Sequence, residues 1–208
     1  MWKPAEAIAR LPSAVPVTQK EHAVTSALYF AATLGELTGL ALWLHYIDGH
    51  HFWIANAWLL AGFAVERASV AIWLRKFQLP EAVAKPLWKT IMALAFATAI
   101  EMTIWHVWRA SAAYWNVVIA GFLLFLMIHP LHAGEMAGVR QQPWIKFVIR
   151  RPTLLFSFVE AAGGTAWLAL WHAGTQVARI AGIAALGVAL FIEHHHQGME
   201  LEDKGFRV

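Results

Sequence analysis

Apolar residues gather in six long runs along this chain, at about 24–46, 52–74, 87–108, 112–132, 153–172 and 177–196. The runs show neither the strict alternation of a half-buried strand nor the narrow stripe of a surface helix. Each is close to the roughly 20 residues that a helix needs to cross a bilayer core. In lipid a spanning segment satisfies its backbone hydrogen bonds only as a helix or within a closed barrel, and barrel-type alternation is absent. The pattern therefore predicts an all-α, polytopic membrane protein. An N-terminal segment occupies 1–23, a six-helix transmembrane domain 24–196 and a tail 197–208. Pro4, Pro12 and Pro16 interrupt the first segment, which lacks the continuous apolar stretch of a signal peptide.

The links alternate in length. Those at 47–51, 109–111 and 173–176 are short, whereas 75–86 and 133–151 are longer. Short links make antiparallel neighbours, so the helices pair as three hairpins. Positive charge follows the same alternation. Lys3, Arg10 and Lys20 precede the first run, Arg75, Lys76 and Lys85 lie in the second link, and Arg140, Lys146, Arg150 and Arg151 lie in or at the fourth. Lys204 and Arg207 follow the last run, while the short turns hold only Arg109, with Arg179 nearby. The positive-inside rule puts both termini and the long links on the cytoplasmic side, in a bacterial or archaeal cytoplasmic membrane. Trp43, Trp53, Trp108, Trp115 and Trp171 then fall toward the opposite face, as an aromatic belt does.

Composition sharpens the picture by exclusion. Hydrophobic residues make up 59% and charged residues 14%, against about 25% charged in soluble domains. A soluble enzyme, a disordered chain and a nucleic-acid-binding module are excluded, and the net charge of +3 belongs to the cytoplasmic links. With no cysteine, the chain has no disulfide, thiolate metal site, iron–sulfur cluster or c-type haem attachment. It also lacks a phosphate-binding loop, a Gly-x-Ser-x-Gly elbow and a mid-span lysine for a Schiff base. Gly35-x-x-x-Gly39 reads as a surface for close helix packing. The partners implied are the lipid bilayer, a hydrophobic small molecule and other membrane subunits.

Against this apolar background Glu36, Glu66, Arg67, Glu101, Glu160 and Glu193 stand out. A charge at a span's centre costs about 2.5–3.5 kcal/mol on insertion scales, so such residues face a bundle interior, pair, or serve a function. Glu36, Glu101 and Glu160 each precede a tryptophan by seven residues, at Trp43, Trp108 and Trp167. Seven residues is about two turns, which puts Glu and Trp on one face. The following helices carry Glu66, His129 and Glu193. The recurrence reads as three related hairpins around a polar centre, or as chance in a chain with 12 Trp. Arg67 adjoins Glu66 at about 100° around the helix, so it is expected to pair with a carboxylate on another helix or to carry its charge to the inner headgroups.

Two histidine clusters lie toward the inner ends. One is His129-Pro130-Leu131-His132, where Pro130 is expected to distort the turn; the other is Glu193-His194-His195-His196. Glu193 and His196 have the Glu-x-x-His spacing that di-iron carboxylate proteins use. The candidate ligand set is Glu36, Glu66, Glu101, His129, His132, Glu160, Glu193, His194 and His196, suited to Fe, Mn or Zn. The ligand types resemble those of membrane fatty-acid desaturases and hydroxylases, but these histidines are too few and wrongly spaced for that family's boxes. Toward the outer side, His45, His106 and His172 are candidate axial ligands for a b-type haem, with Arg109 for a propionate.

The leading expectation is a metal-dependent membrane oxidoreductase acting on a lipid-like substrate. Competing expectations are a cation- or proton-coupled transporter that uses the intramembrane carboxylates, and a haem b or quinone-binding subunit of an electron-transfer complex. A purely structural subunit is the plainest alternative.

Overall fold

The computed structural model describes residues 19–76, 87–140 and 142–202, and no strand occurs among them. The elements are α1 Gln19–Asp48, α2 Phe52–Lys76, α3 Leu87–Tyr114, α4 Val117–Arg140, the single-turn α5 Ile145–Val148, α6 Arg151–His172 and α7 Gln176–Glu202. Five of them, α1, α3, α4, α6 and α7, are long and apolar enough to cross a membrane. At 25 residues α2 has the length, but Asn56, Glu66 and Arg67 dilute its apolarity. The charges at Lys3, Arg10, Lys85, Lys204 and Arg207 lie outside the described residues, as does most of the N-terminal segment.

Short links produce the expected hairpins: α1 packs on α2, α3 on α4, and α6 on α7. Between hairpins, α4 packs against α6 and α7 returns to α1, while α2 meets α3 over a much smaller contact. The six long helices thus close into a ring whose loosest seam lies between α2 and α3. Large apolar side chains such as Phe30, Leu60, Phe96, Phe122 and Phe158 point outward, whereas Glu36, Glu101, Glu160 and Glu193 are buried. An apolar exterior around an ionisable interior is the arrangement that lipid solvation requires.

Several boundaries differ from the sequence expectation. Helix α3 continues a turn beyond residue 108 to Tyr114, and the link moves to Trp115 and Asn116. There the Asn116 Oδ1 accepts from the backbone N–H groups of Val118 and Ile119, both at 2.9 Å, satisfying donors that a helix start leaves free. Pro130 does not break α4, which runs through it to Arg140. Helix α7 passes His196 and reaches Glu202. Gly174, with φ of 80°, takes the left-handed conformation in the turn after α6.

Two features set the interior. At the α1–α2 crossing a Cβ on Gly39 would stand 2.7 Å from the Gly62 Cα, and one on Gly62 would stand 2.7 Å from the Gly35 carbonyl. The backbones therefore touch, as the Gly35/Gly39 spacing implies. At one end of the ring Asp48 joins all three hairpins. Its carboxylate accepts from Arg109 of α3 at 2.5 Å and from the Trp171 indole of α6 at 2.9 Å.

Candidate metal centre

Every long helix sends an ionisable side chain into the ring. Glu36 comes from α1, Glu66 and Arg67 from α2, Glu101 from α3, His132 from α4, Glu160 from α6, and Glu193 and His194 from α7; all are buried. Glu135 of α4 joins them and is part-exposed.

One side of the cluster is organised by Arg67. Its guanidinium forms an ion pair with Glu101 of α3, reaches Glu135 of α4 at 2.6 Å, and bends back to its neighbour Glu66 at 3.2 Å. Pairing across helices is as expected. The contact with Glu66 departs from the 100° argument, because both side chains are long enough to turn toward the same point.

On the other side two imidazoles face carboxylates. His132 Nε2 lies 3.1 Å from Glu193 Oε1 and 3.3 Å from Glu160 Oε2. His194 Nε2 lies 3.4 Å from Glu36 Oε2 and 4.0 Å from Glu66 Oε1. The hydrogen-bond pattern assigns the ring hydrogens. Ser157 donates its hydroxyl to the Thr153 carbonyl at 2.8 Å, so its oxygen accepts from His132 Nδ1 at 2.9 Å. Thr33 donates to the Tyr29 carbonyl at 2.9 Å, so its oxygen accepts from His194 Nδ1 at 2.9 Å. With the hydrogen held on Nδ1, each neutral ring turns the Nε2 lone pair toward a carboxylate oxygen. Two electron-rich atoms at such a separation call for a cation between them, either a proton or a metal ion.

Three overlapping ligand sets result: Glu36, Glu193 and His194; His132, Glu160 and Glu193; and Glu36, Glu101 and Glu160. Within each, the ligand atoms lie inside 4.8 Å of one another, whereas ligands sharing one ion at about 2.0–2.2 Å stand about 3–4 Å apart. Glu193 belongs to both sets that contain an imidazole. Glu36 Oε1, Glu66 Oε2, Glu193 Oε2 and both oxygens of Glu160 are buried without a hydrogen-bond donor. Buried polar atoms are rarely left so, and orphaned carboxylate oxygens within one cluster mark a place for an ion or water; Glu66 itself belongs to none of the three sets.

The three Glu–Trp pairs of the sequence come together. Glu36, Glu101 and Glu160 form one ligand set, and Trp43, Trp108 and Trp167 are fully buried two turns along the same helices. Trp108 stacks on Trp167 with ring centroids 6.1 Å apart. The tryptophans wall that side of the cluster, and the indole N–H groups of Trp43, Trp105, Trp108 and Trp167 find no acceptor among the described residues.

Other candidates stand apart. His129 places Nε2 2.9 Å from the Val148 carbonyl, to which it donates, and Nδ1 3.2 Å from Ser157 Oγ. It lies beside the residue that orients His132 and joins none of the three sets. His196 is half-buried beside His195; Glu193 works with its neighbour His194 instead of the i+3 histidine. For the haem alternative, His45 and His172 are exposed, and His106 has its Nε2 2.7 Å from Asn56 Oδ1. These three offer no buried histidine pair.

The sequence reading missed Glu135, Thr33, Ser157 and Gln197, whose amide donates to Glu193 Oε1 at 2.8 Å. A signal for the hydroxyls was present: Thr33, Thr98 and Ser157 each stand three residues before Glu36, Glu101 and Glu160, hence on the same helix face. All three hydroxyl residues are buried. The basic partners follow the same order. His194 of α7 reaches α1, Arg67 of α2 reaches α3, and His132 of α4 reaches α6. No family model, no curated protein and no solved structure matches this chain.

Proposed function

We propose that this chain is a six-span membrane oxidoreductase, with both termini cytoplasmic, whose centre holds two metal ions and acts on an apolar substrate borne by the membrane. The carrying observation is the pair of Nδ1-anchored imidazoles, His132 and His194, whose free Nε2 atoms face carboxylates. Metal-binding histidines normally donate the far ring N–H to an oxygen acceptor, a role that the Ser157 and Thr33 hydroxyls fill here. Two ions follow from two imidazole-containing sets that share Glu193. In the first hairpin Arg67 takes the place of an imidazole, so a permanent cation sits beside Glu101 where a third ion would otherwise bind. On this reading the three hairpins are repeats of one unit.

The donor set is mostly carboxylate with two imidazoles, which favours iron or manganese over zinc, whose structural sites prefer nitrogen and sulfur. Bound there, such ions supply Lewis acidity and one-electron chemistry. The chain's own residues hold the ligands in place, set the one guanidinium of Arg67 among Glu66, Glu101 and Glu135, and wall one side of the cluster with tryptophan. The test is elemental analysis of tag-free protein beside Glu160→Gln and Glu193→Gln. Near two equivalents of iron or manganese in the parent, with loss in both folded variants, is the expected result. Substoichiometric metal in the parent, with both variants folded and more stable, would show that protons neutralise the carboxylates and would overturn the proposal.

A further inference from the structure

At the loose α2–α3 seam the ring opens into a cleft of about 630 Å³, within the roughly 300–1,000 Å³ of small-molecule sites. Its walls are apolar for most of their extent: Val70 of α2, Leu94, Phe96, Ala97 and Ile100 of α3, and Met127 and Leu131 of α4. Phe96 is also 69% exposed on the ring's outer face, so the mouth is lipid-facing on the six-span reading. Arg67, Glu135 and Gln197 make the polar part of the wall. Each of them leads to the centre. Arg67 is paired with Glu101 and Glu66, and Gln197 donates to Glu193 at 2.8 Å.

We infer that this cleft admits, sideways from the bilayer, a long-chain molecule ending in an uncharged carbonyl or hydroxyl group, and that it is the substrate entrance of the proposed metal centre. The inference rests on that metal reading for its last step only. The apolar lining sets the chain. The polar end sets the head group by charge: the Arg67 guanidinium is already shared by Glu66, Glu101 and Glu135, so an anionic head finds no free cation and a cationic one would lie beside a like charge. An ionised head would arrive unpaired in a low-dielectric wall, whereas a neutral one brings no charge to compensate. Arg67 also keeps its Nε–H without an acceptor, which a carbonyl or hydroxyl oxygen can fill.

The experiment uses full-length, tag-free protein in phosphatidylcholine vesicles and a hexadecanol probe carrying a diazirine on its chain. Photolabelling is mapped by peptide mass spectrometry, with hexadecanol, hexadecyl sulfate and hexadecyltrimethylammonium as competitors. Labels are expected on the α3 and α4 segments that line the cleft. They should be displaced by hexadecanol and by neither ionic competitor, and lost in Ala97→Trp and in Gly134→Leu. Gly134 lines the cleft, and a Cβ there meets nothing closer than 3.9 Å, so this second variant keeps the test valid should Ala97→Trp misfold. Uniform labelling of all lipid-facing helices, or labelling untouched by both folded variants, would overturn the entrance; equal displacement by the sulfate would overturn the neutral head group. Metal content is measured on the same samples. Labelling without metal sinks the metal centre alone, and metal without localised labelling sinks the entrance alone.

Discussion

His132 Nε2 stands 3.1 Å from Glu193 Oε1 and so joins α4 to α7, two helices that are not neighbours in the ring. Such a contact is possible only across the interior, with α6 contributing Ser157 behind the imidazole and Glu160 beside it. The hydroxyl that anchors Nδ1 therefore belongs to the same helix as one of the facing carboxylates. One rotation of α6 sets both, which couples ligand orientation to helix packing.

Removing the hydroxyl anchors is expected to weaken metal binding without unfolding the protein. Ser157→Ala and Thr33→Val each take away the acceptor for an imidazole Nδ1–H. Loss of such outer partners typically costs about 10–100-fold in affinity. Thr98→Val, at the corresponding place beside Glu101, where the facing cation is Arg67 and not an imidazole, is the control and should stay within a few-fold. Competition with a chelator followed by metal analysis gives the answer. Equal affinities in all three variants would show that neither imidazole is a ligand.

Arg67→Leu leaves three carboxylates without their cation and is expected to destabilise the fold by about 3–5 kcal/mol. Thermal unfolding in a mild detergent measures the loss. Adding Glu101→Gln to Arg67→Leu removes one of the orphaned charges and should recover part of it. A double variant no more stable than Arg67→Leu would mean that the Arg67–Glu101 pair is energetically idle.

At the α1–α2 crossing, Gly39→Leu forces a side chain into the Gly62 backbone. Overpacking of this kind costs about 1–3 kcal/mol, more where backbone is met. Because Glu36 and Glu66 hang from this crossing, metal content should fall together with stability. Gly138→Ala has nothing within 4 Å of the added Cβ and is expected to be neutral or slightly stabilising. Matching melting temperatures for the two variants would refute the close approach.

Topology can be read directly because the chain contains no cysteine. Single cysteines at His50 and Gly174, in the α1–α2 and α6–α7 turns, should react with a membrane-impermeant thiol reagent added to intact cells. A cysteine at Lys146, beside α5, should react only after the membrane is permeabilised. Reaction of all three in intact cells, or of His50 and Lys146 alike, would overturn the six-span arrangement and with it the span assigned to α2.

What local composition determines in this protein is set by the solvent. Lipid charges so much for exposed polar groups that uninterrupted apolar length alone identifies five of the long helices, α1, α3, α4, α6 and α7, and insertion cost alone turns Glu36, Glu101 and Glu160 inward. The seven-residue offset to Trp43, Trp108 and Trp167 is also local, since two helical turns return to the same face. Which imidazole meets which carboxylate is not local. Glu193-x-x-His196 satisfies the spacing rule on α7, yet the rotation of α7 against α1 presents His194 to Glu36 and leaves His196 toward the rim. His129 and His132 likewise share a face, and the packing of α4 against α5 and α6 gives one to a backbone carbonyl and the other to the cluster. The threefold engagement of Arg67, the roles of Ser157 and Thr33, and the cleft at the α2–α3 seam all depend on how six helices of near-uniform apolarity rotate and close into a ring. That choice is made largely by contacts between residues distant in sequence, such as the 161-residue separation of Thr33 and His194, and only the tertiary structure decides it.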